Sequence, residues 1–139
     1  GSGLLNLQRL RGYGVKLAVG TDVGAGTSFS LFRTLDEAYK VQQLQGLSLS
    51  PMQGLYLATL GGARALGMGH LIGSLQPGRE ADFLVLDPAA TPLLALRMAR
   101  CRDIVEQVFV LNTLADDRVV QRTYAAGRCL YRRGEPEAA

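Results

Sequence analysis

The chain has 139 residues, of which 47% are hydrophobic and 19% charged, and its mean hydropathy is +0.11. This composition is apolar for a short chain with a high surface-to-volume ratio, so it predicts either a large covered surface or membership of a longer protein. No apolar run approaches the roughly 20 residues that span a bilayer, which argues against a membrane protein or a membrane partner.

The net charge is +3, from 15 basic and 12 acidic residues. The arginines are scattered except for the pair Arg132-Arg133, and no aromatic residues alternate with them. A nucleic-acid surface would show such alternation, so we expect no nucleic-acid partner. Cys101 and Cys129 lie far apart without metal-ligand spacing. We therefore expect reduced thiols and a cytoplasmic location.

The first elements follow from hydrophobic periodicity. Leucines at near-helical spacing predict a helix over 4–12, and the apolar run at 15–21 predicts a buried strand. A second amphipathic pattern predicts a helix over 29–45, with Asp36 and Lys40 paired across one turn. This order of helix, strand and helix is typical of a parallel α/β sheet.

The strand predicted at 15–21 ends in Gly20-Thr21-Asp22, beside a glycine-rich loop. α/β folds place catalytic groups where strands end, so Asp22 is the leading candidate for a functional residue. The motif alone leaves a second interpretation open, in which Asp22 is a carboxylate in an ordinary turn.

Further along, Ser50 and Gln53 have the spacing of a capping box and predict a helix over 51–66. Two glycines inside this helix, Gly61 and Gly62, indicate close packing against a neighbour. Three later segments predict strands, at 81–86, 119–125 and 128–132, the last two joined as a hairpin. Residues 104–111 have helical spacing, although their β-branched content also suits a strand.

Four stretches of the sequence form a recognisable set. They are GTDVGAGTSFS (20–30), a helical stretch ending in ATLGGARALGM (58–68), IGSLQPGREADFLVLD (72–87) and LADDRVVQRTYAAGRCLY (114–131). Together they resemble the C-terminal third of amidohydrolase-superfamily enzymes. The stretch 72–87 is similar to a segment shared across that superfamily, whereas DVGAGTSFS (22–30) and LADDR (114–118) are most similar to the guanine deaminases.

The resemblance implies an α/β fold, the C-terminal part of a metal-dependent (β/α)8 barrel followed by small β-sandwich strands. Residues 1–72 would supply the last helix–strand–helix of the barrel and the following helix. Residues 73–139 would return into the β-sandwich with one intervening helix.

The resemblance also implies a chemistry, the zinc-dependent hydrolytic deamination of guanine to xanthine and ammonia. Asp22 would be both the catalytic residue and a metal contact, because the corresponding aspartate of the family contacts zinc and shuttles the proton. Zinc lowers the pKa of its bound water to about 7, and a carboxylate within reach can carry the proton to the leaving amine.

Most of the family's metal ligands have no counterpart in the chain. Its one histidine, His70, falls in a turn, where it is expected to be solvated. A catalytic zinc site needs about three protein ligands, so the chain is expected to be a C-terminal fragment that binds zinc weakly and is inactive alone. The opening Gly1-Ser2-Gly3 fits either a native start or a tag scar.

Two alternatives remain at this point. One is another amidohydrolase acting on an aminated or halogenated heterocycle, and the other is a non-catalytic oligomerising domain. An unclosed barrel would leave the strand at 15–21 with bare edges and the apolar stripe of the second helix uncovered. That stripe comprises Leu31, Phe32, Leu35 and Tyr39. We therefore expect a homo-oligomer, in particular a dimer.

Overall fold

The computed structural model describes residues 3–135, in which six α-helices and three β-strands are found. In chain order the elements are α1 (Leu7–Gly12), α2 (Leu31–Gln43), α3 (Pro51–Ala58), α4 (Leu60–Ala65), β1 (Phe83–Leu86), α5 (Pro92–Met98), α6 (Ile104–Leu114), a 3₁₀ turn (Asp117–Val119), β2 (Val120–Ala125) and β3 (Arg128–Arg132). The mixed helix and strand content that was predicted is confirmed.

Side-chain caps define where the helices begin. At the start of α3 the predicted capping box is present, since Ser50 Oγ accepts from the Gln53 amide at 3.2 Å and Gln53 Oε1 accepts from the Ser50 amide at 3.1 Å. At the start of α6, Asp103 accepts from the Glu106 amide at 2.9 Å. This cap favours the helical alternative for residues 104–111, and the structure confirms it.

The single helix predicted at 51–66 is divided in two at Thr59, whose backbone leaves the helical region at φ −129° and ψ −106°. Gly61 lies just after the break and is buried. A Cβ at Gly61 would lie 2.7 Å from the Tyr56 carbonyl oxygen, so only glycine permits this approach. The predicted close packing is confirmed, whereas the uninterrupted helix is wrong.

The strand predicted at 15–21 is not present in the structure, where these residues form neither helix nor strand. A strand exists only where a neighbouring strand satisfies its amide and carbonyl groups. In the described part of the chain the one sheet is built from β1, β2 and β3, and 15–21 lies outside it. Its Val19 amide instead donates to the Leu57 carbonyl at 3.2 Å.

The three helices α2, α3 and α6 pack on one another and cover most of the apolar stripe of α2. Leu35 is 3% exposed, and the Tyr39 ring meets Phe109 edge-to-face with 5.4 Å between centroids. The expectation that the stripe is uncovered is therefore wrong for Leu35 and Tyr39, because α3 and α6 of the same chain reach it. Leu31, at the edge of the stripe, stays 40% exposed.

A second apolar cluster joins the helices to the sheet. It is formed by Leu94, Val110, Ala115 and Val119, and Phe32 and Leu86 pack against it. Ala115 and Val119 have no exposed surface at all. The cluster therefore links the first turn of α2 to the end of β1.

The sheet is antiparallel in the order β1-β2-β3. Phe83 of β1 faces Tyr124 of β2, and their rings stack with 4.4 Å between centroids. The turn between β2 and β3 has positive φ at both Ala126 and Gly127, as a two-residue hairpin requires, and the predicted hairpin is confirmed.

Two helices, α5 and α6, separate β1 from β2, where one was predicted. None of the described helices is both long and apolar enough to cross a bilayer.

Buried Gln42, near the end of α2, anchors the beginning of the chain. Its side-chain oxygen accepts from the Leu7 amide at 3.1 Å, and its side-chain nitrogen donates to the Leu5 carbonyl at 2.8 Å. Gln45 donates to the same carbonyl at 2.9 Å. A buried amide with both ends satisfied fixes the position of its partners, so α1 is held against α2.

An ion pair ties the far strand β3 to the end of β1. The Arg133 guanidinium donates to Asp87 at 2.5 Å and also to the Arg118 carbonyl, while the Ala89 amide donates to Asp87 at 2.9 Å. These donors, Arg133 first, hold the pKa of Asp87 below its ordinary value of 3.8.

We predict that Leu94→Ala destabilises the chain by about 2–5 kcal/mol, because it leaves a cavity in the cluster that joins helices and sheet. Denaturant unfolding followed by circular dichroism measures the change. Leu96→Ala is the matched control, since Leu96 lies on the same helix but is 57% exposed. Equal losses in the two variants would contradict the assignment of Leu94 to the core.

The depressed pKa of Asp87 predicts a pH-dependent contribution to stability. The ion pair stabilises the fold fully above pH 3.8, the ordinary value, and this contribution is lost as the pH falls through the lower folded value. We expect Asp87→Asn to be less stable than wild type at neutral pH. The difference between the two proteins should shrink as the pH falls below 3.8. Urea unfolding of both proteins across the acid range tests this, and a pH-independent difference would refute it.

Candidate active site

The segment 15–21 leads into a tight turn that begins at Asp22. The Asp22 carbonyl oxygen accepts from two amides, that of Ala25 at 2.9 Å and that of Gly26 at 2.6 Å. Asp22 itself has φ +50°, in the left-handed region. Aspartate tolerates this conformation better than most residues, and in ordered structures such residues concentrate at functional sites.

The side chain of Asp22 is exposed, and it takes part in none of the ion pairs among the described residues. Two apolar side chains of the same loop are open as well, with Val23 61% and Phe29 84% exposed. The turn therefore presents one carboxylate on an apolar, uncovered surface. A carboxylate in such a place can accept hydrogen bonds or contact a cation.

The residues of this chain do not fit a zinc ion by themselves. Within residues 3–135, no three His, Cys, Asp or Glu side chains lie close enough together to hold a metal ion. A catalytic zinc takes about three protein ligands, and Asp22 would supply one. His70 lies in a turn and is exposed, as predicted, and it joins no ligand cluster.

The motif LADDR (114–118) has a structural role that its sequence did not reveal. Asp116 caps the 3₁₀ turn by accepting from the Arg118 amide at 3.0 Å, and its carboxylate also binds the Arg118 guanidinium at 2.7–3.2 Å. The Arg118 guanidinium is the main reason that the pKa of Asp116 lies below its ordinary value, and the positive charge of Arg33 lowers it further. Arg33 belongs to the first turn of α2.

The cap holds Ala115 and Val119 in the cluster against which Phe32 packs. α2 starts at Leu31, a few residues after the turn that carries Asp22. The LADDR segment therefore supports the helix that follows the candidate catalytic loop. The wholly buried Ala115 was not singled out by its periodicity, because a lone alanine before two aspartates gives no hydrophobic pattern.

A cleft of about 210 Å³ lies between α1 and the chain before α3, and its lining includes Arg11, Gln42 and Gln53. Asp22 does not line it. The cleft and the candidate catalytic residue are therefore separate features of the surface.

Known proteins resemble the chain over nearly its full length. Guanine deaminase of Escherichia coli strain K12 is 53% identical over 133 residues, which cover 96% of this chain and 30% of the relative. A probable guanine deaminase of Deinococcus radiodurans is 41% identical over 141 residues, covering 99% of this chain and 32% of the relative. The chain thus spans about a third of the length of these relatives.

The fold is similar to that of a solved structure as well. The E. coli guanine deaminase structure superimposes with a TM-score of 0.92 at 53% identity, over 96% of this chain and 31% of that one. The model of the amidohydrolase family matches residues 1–130, which include the Asp22 turn and the LADDR segment. The chain belongs to the amidohydrolase family.

Proposed function

We propose that this chain is the C-terminal part of a guanine deaminase, which hydrolyses guanine to xanthine and ammonia. The observation that carries the proposal is the 53% identity to the E. coli guanine deaminase over 96% of the chain, with a TM-score of 0.92. Proteins that are 53% identical share the same fold in detail. The matched residues include the loops, which vary most between enzymes of different function.

The role we assign to Asp22 is that of proton carrier. In the hydrolysis a water adds to the ring carbon that bears the amino group, and that carbon–nitrogen bond breaks as the amine leaves. The Asp22 carboxylate accepts the proton of the attacking water and delivers it to the departing nitrogen. Its place in the turn that follows segment 15–21, with the backbone at φ +50°, supports this role, because such conformations concentrate at functional sites.

We also propose that Asp22 is the one ligand that this chain contributes to a zinc site completed elsewhere in the enzyme. The absence of a ligand cluster in residues 3–135 and the short span of the chain relative to the E. coli enzyme support this division. The other ligands and the groups that contact guanine would then lie in the remaining part of the longer protein.

The domain organisation that we propose places residues 1–72 in the barrel and residues 73–139 in the β-sandwich. The change from helices α1–α4 to an antiparallel sheet supports a boundary near residue 73. In the full barrel, 15–21 would become the eighth strand, once its neighbours are supplied. We further propose a cytoplasmic homo-oligomer, most simply a dimer.

The catalytic assignment predicts the effect of Asp22→Asn in the full-length enzyme. The amide keeps the shape of the side chain but cannot carry the proton, so turnover should fall at least about a hundredfold. Steady-state guanine hydrolysis measures kcat, and circular dichroism should show an unchanged fold. Asp22→Ala should lose a similar factor.

Asp117→Asn is the matched control, since Asp117 is also exposed but belongs to the LADDR turn. Its turnover should stay within about threefold of wild type. If Asp22→Asn also stayed within about threefold, Asp22 would not be the proton carrier.

The division of the zinc site predicts that the isolated 139-residue chain neither holds zinc stoichiometrically after dialysis nor deaminates guanine. A single carboxylate ligand binds zinc too weakly to retain it. Elemental analysis of dialysed protein is the measurement. Zinc retained at one ion per chain, and lost in both Asp22→Ala and His70→Ala, would overturn the assignment of the remaining ligands to other parts of the enzyme.

A further inference from the structure

We propose that Gly26 is a positioning residue for Asp22, because its missing side chain lets the loop fold back against the Thr21 carbonyl and fixes the backbone that carries the carboxylate. The inference rests on the proposed function of Asp22. It assigns to Gly26 a role in the rate of the reaction, and Gly26 itself touches no reacting atom.

The contact at Gly26 is unusually close. A Cβ added to Gly26 would lie 1.8 Å from the Thr21 carbonyl oxygen, 3.0 Å from the Thr21 carbonyl carbon and 3.1 Å from the Asp22 carbonyl oxygen. Ordinary contacts of a Cβ begin near 3.4 Å. Any other residue at position 26 would therefore displace the backbone of Thr21 or its own loop by more than an ångström.

The same turn is held from the other side by hydrogen bonds. The Gly26 and Ala25 amides both donate to the Asp22 carbonyl, at 2.6 and 2.9 Å. Asp22 has φ +50°, a conformation that persists only where its surroundings impose it. Gly26 thus restricts the backbone position of Thr21 through steric contact and that of Asp22 through hydrogen bonding. These two restraints set the direction in which the Asp22 side chain leaves the backbone.

Gly24, in the same loop, is required for a different reason. Its φ is +104°, but a Cβ there would meet nothing within 4 Å. Gly24 allows the backbone conformation that the loop needs, whereas Gly26 allows the loop to pack closely against Thr21. The contact is the feature that connects the loop to the geometry of the catalytic group.

Displacing a catalytic group by about 1 Å can cost on the order of a hundredfold in rate. We therefore expect Gly26→Ala in the full-length enzyme to lower kcat for guanine at least about tenfold. The KM for guanine should change by less than about threefold, since the groups that bind the base are elsewhere.

The test that separates positioning from a structural role is a double-mutant cycle of Gly26→Ala and Asp22→Asn. If Gly26 acts through Asp22, Gly26→Ala should lower kcat little further once the carboxylate has been replaced. A purely structural defect would lower kcat by the same factor in both backgrounds. Thermal unfolding and zinc content are measured for every variant, so that a loss of folded or metal-loaded enzyme is seen directly.

Gly12→Ala is the matched control, because a Cβ at Gly12 would meet nothing within 4 Å and its φ is not positive. Gly12 ends α1, away from the Asp22 turn. Its kcat should equal that of wild type.

Ala25→Pro is a second variant, which removes one of the two amides that donate to the Asp22 carbonyl and places the proline ring against that carbonyl instead. It should show the same dependence on Asp22 in its own double-mutant cycle. This variant keeps the inference testable if Gly26→Ala does not fold.

The outcomes separate this inference from the proposed function. Asp22→Asn with normal turnover refutes the role of Asp22, and with it the basis of the inference. Asp22→Asn at least about a hundredfold slower, with Gly26→Ala close to wild type, overturns the inference alone. Equal effects of Gly26→Ala in both backgrounds also overturn it.

Discussion

The contact on which most of this structure depends is the burial of Ala115 and Val119 against the first turn of α2. Ala115 and Val119 have no exposed surface, and Phe32 closes the cluster from the helix side. Burial of apolar side chains at such a junction joins two layers that would otherwise be separate, the helices α1–α4 and the sheet. Because β2 begins directly after this segment, the position of the sheet follows from the same contact. The Asp116–Arg118 pair shapes the turn, but an exposed pair of this kind adds little free energy compared with the apolar contact.

The sequence motif LADDR is connected to the candidate active site by packing alone, and none of its residues has a chemical role there. Asp116 and Arg118 form a cap, and Ala115 and Val119 on either side fill the core. α2 begins where the Asp22 loop ends, so a shift of α2 would shift the end of that loop. A motif can thus be typical of one branch of a family because it maintains the scaffold behind a site, while the reacting groups lie elsewhere.

The sequence predicted well those elements that are determined by nearby residues. The capping box at Ser50 and the hairpin around Gly127 each depend on contacts within a few positions, and each is confirmed. For residues 104–111 the sequence left helix and strand open, and the structure shows the helix. The failures share a different cause. The helix break at Thr59 depends on the approach of Gly61 to the Tyr56 carbonyl, a contact that the helical periodicity conceals. For the candidate site, the sequence identified Asp22 but not the contact between Gly26 and Thr21, since steric clash at 1.8 Å is a property of the folded loop alone.

The absent strand at 15–21 shows how far the secondary structure of one segment depends on residues outside it. Its apolar pattern suits a buried strand, yet Val15 is 46% exposed. The Val19 amide donates a hydrogen bond to the Leu57 carbonyl of α3, where a strand would pair with another strand. Apolar surface of this kind is costly to leave in water, and a parallel barrel strand becomes stable only between two neighbours. The turn that follows is different, because its hydrogen bonds and its glycine contact all lie within residues 21–26. The backbone around Asp22 therefore takes its conformation from its own loop, whereas segment 15–21 needs neighbouring strands to become one itself.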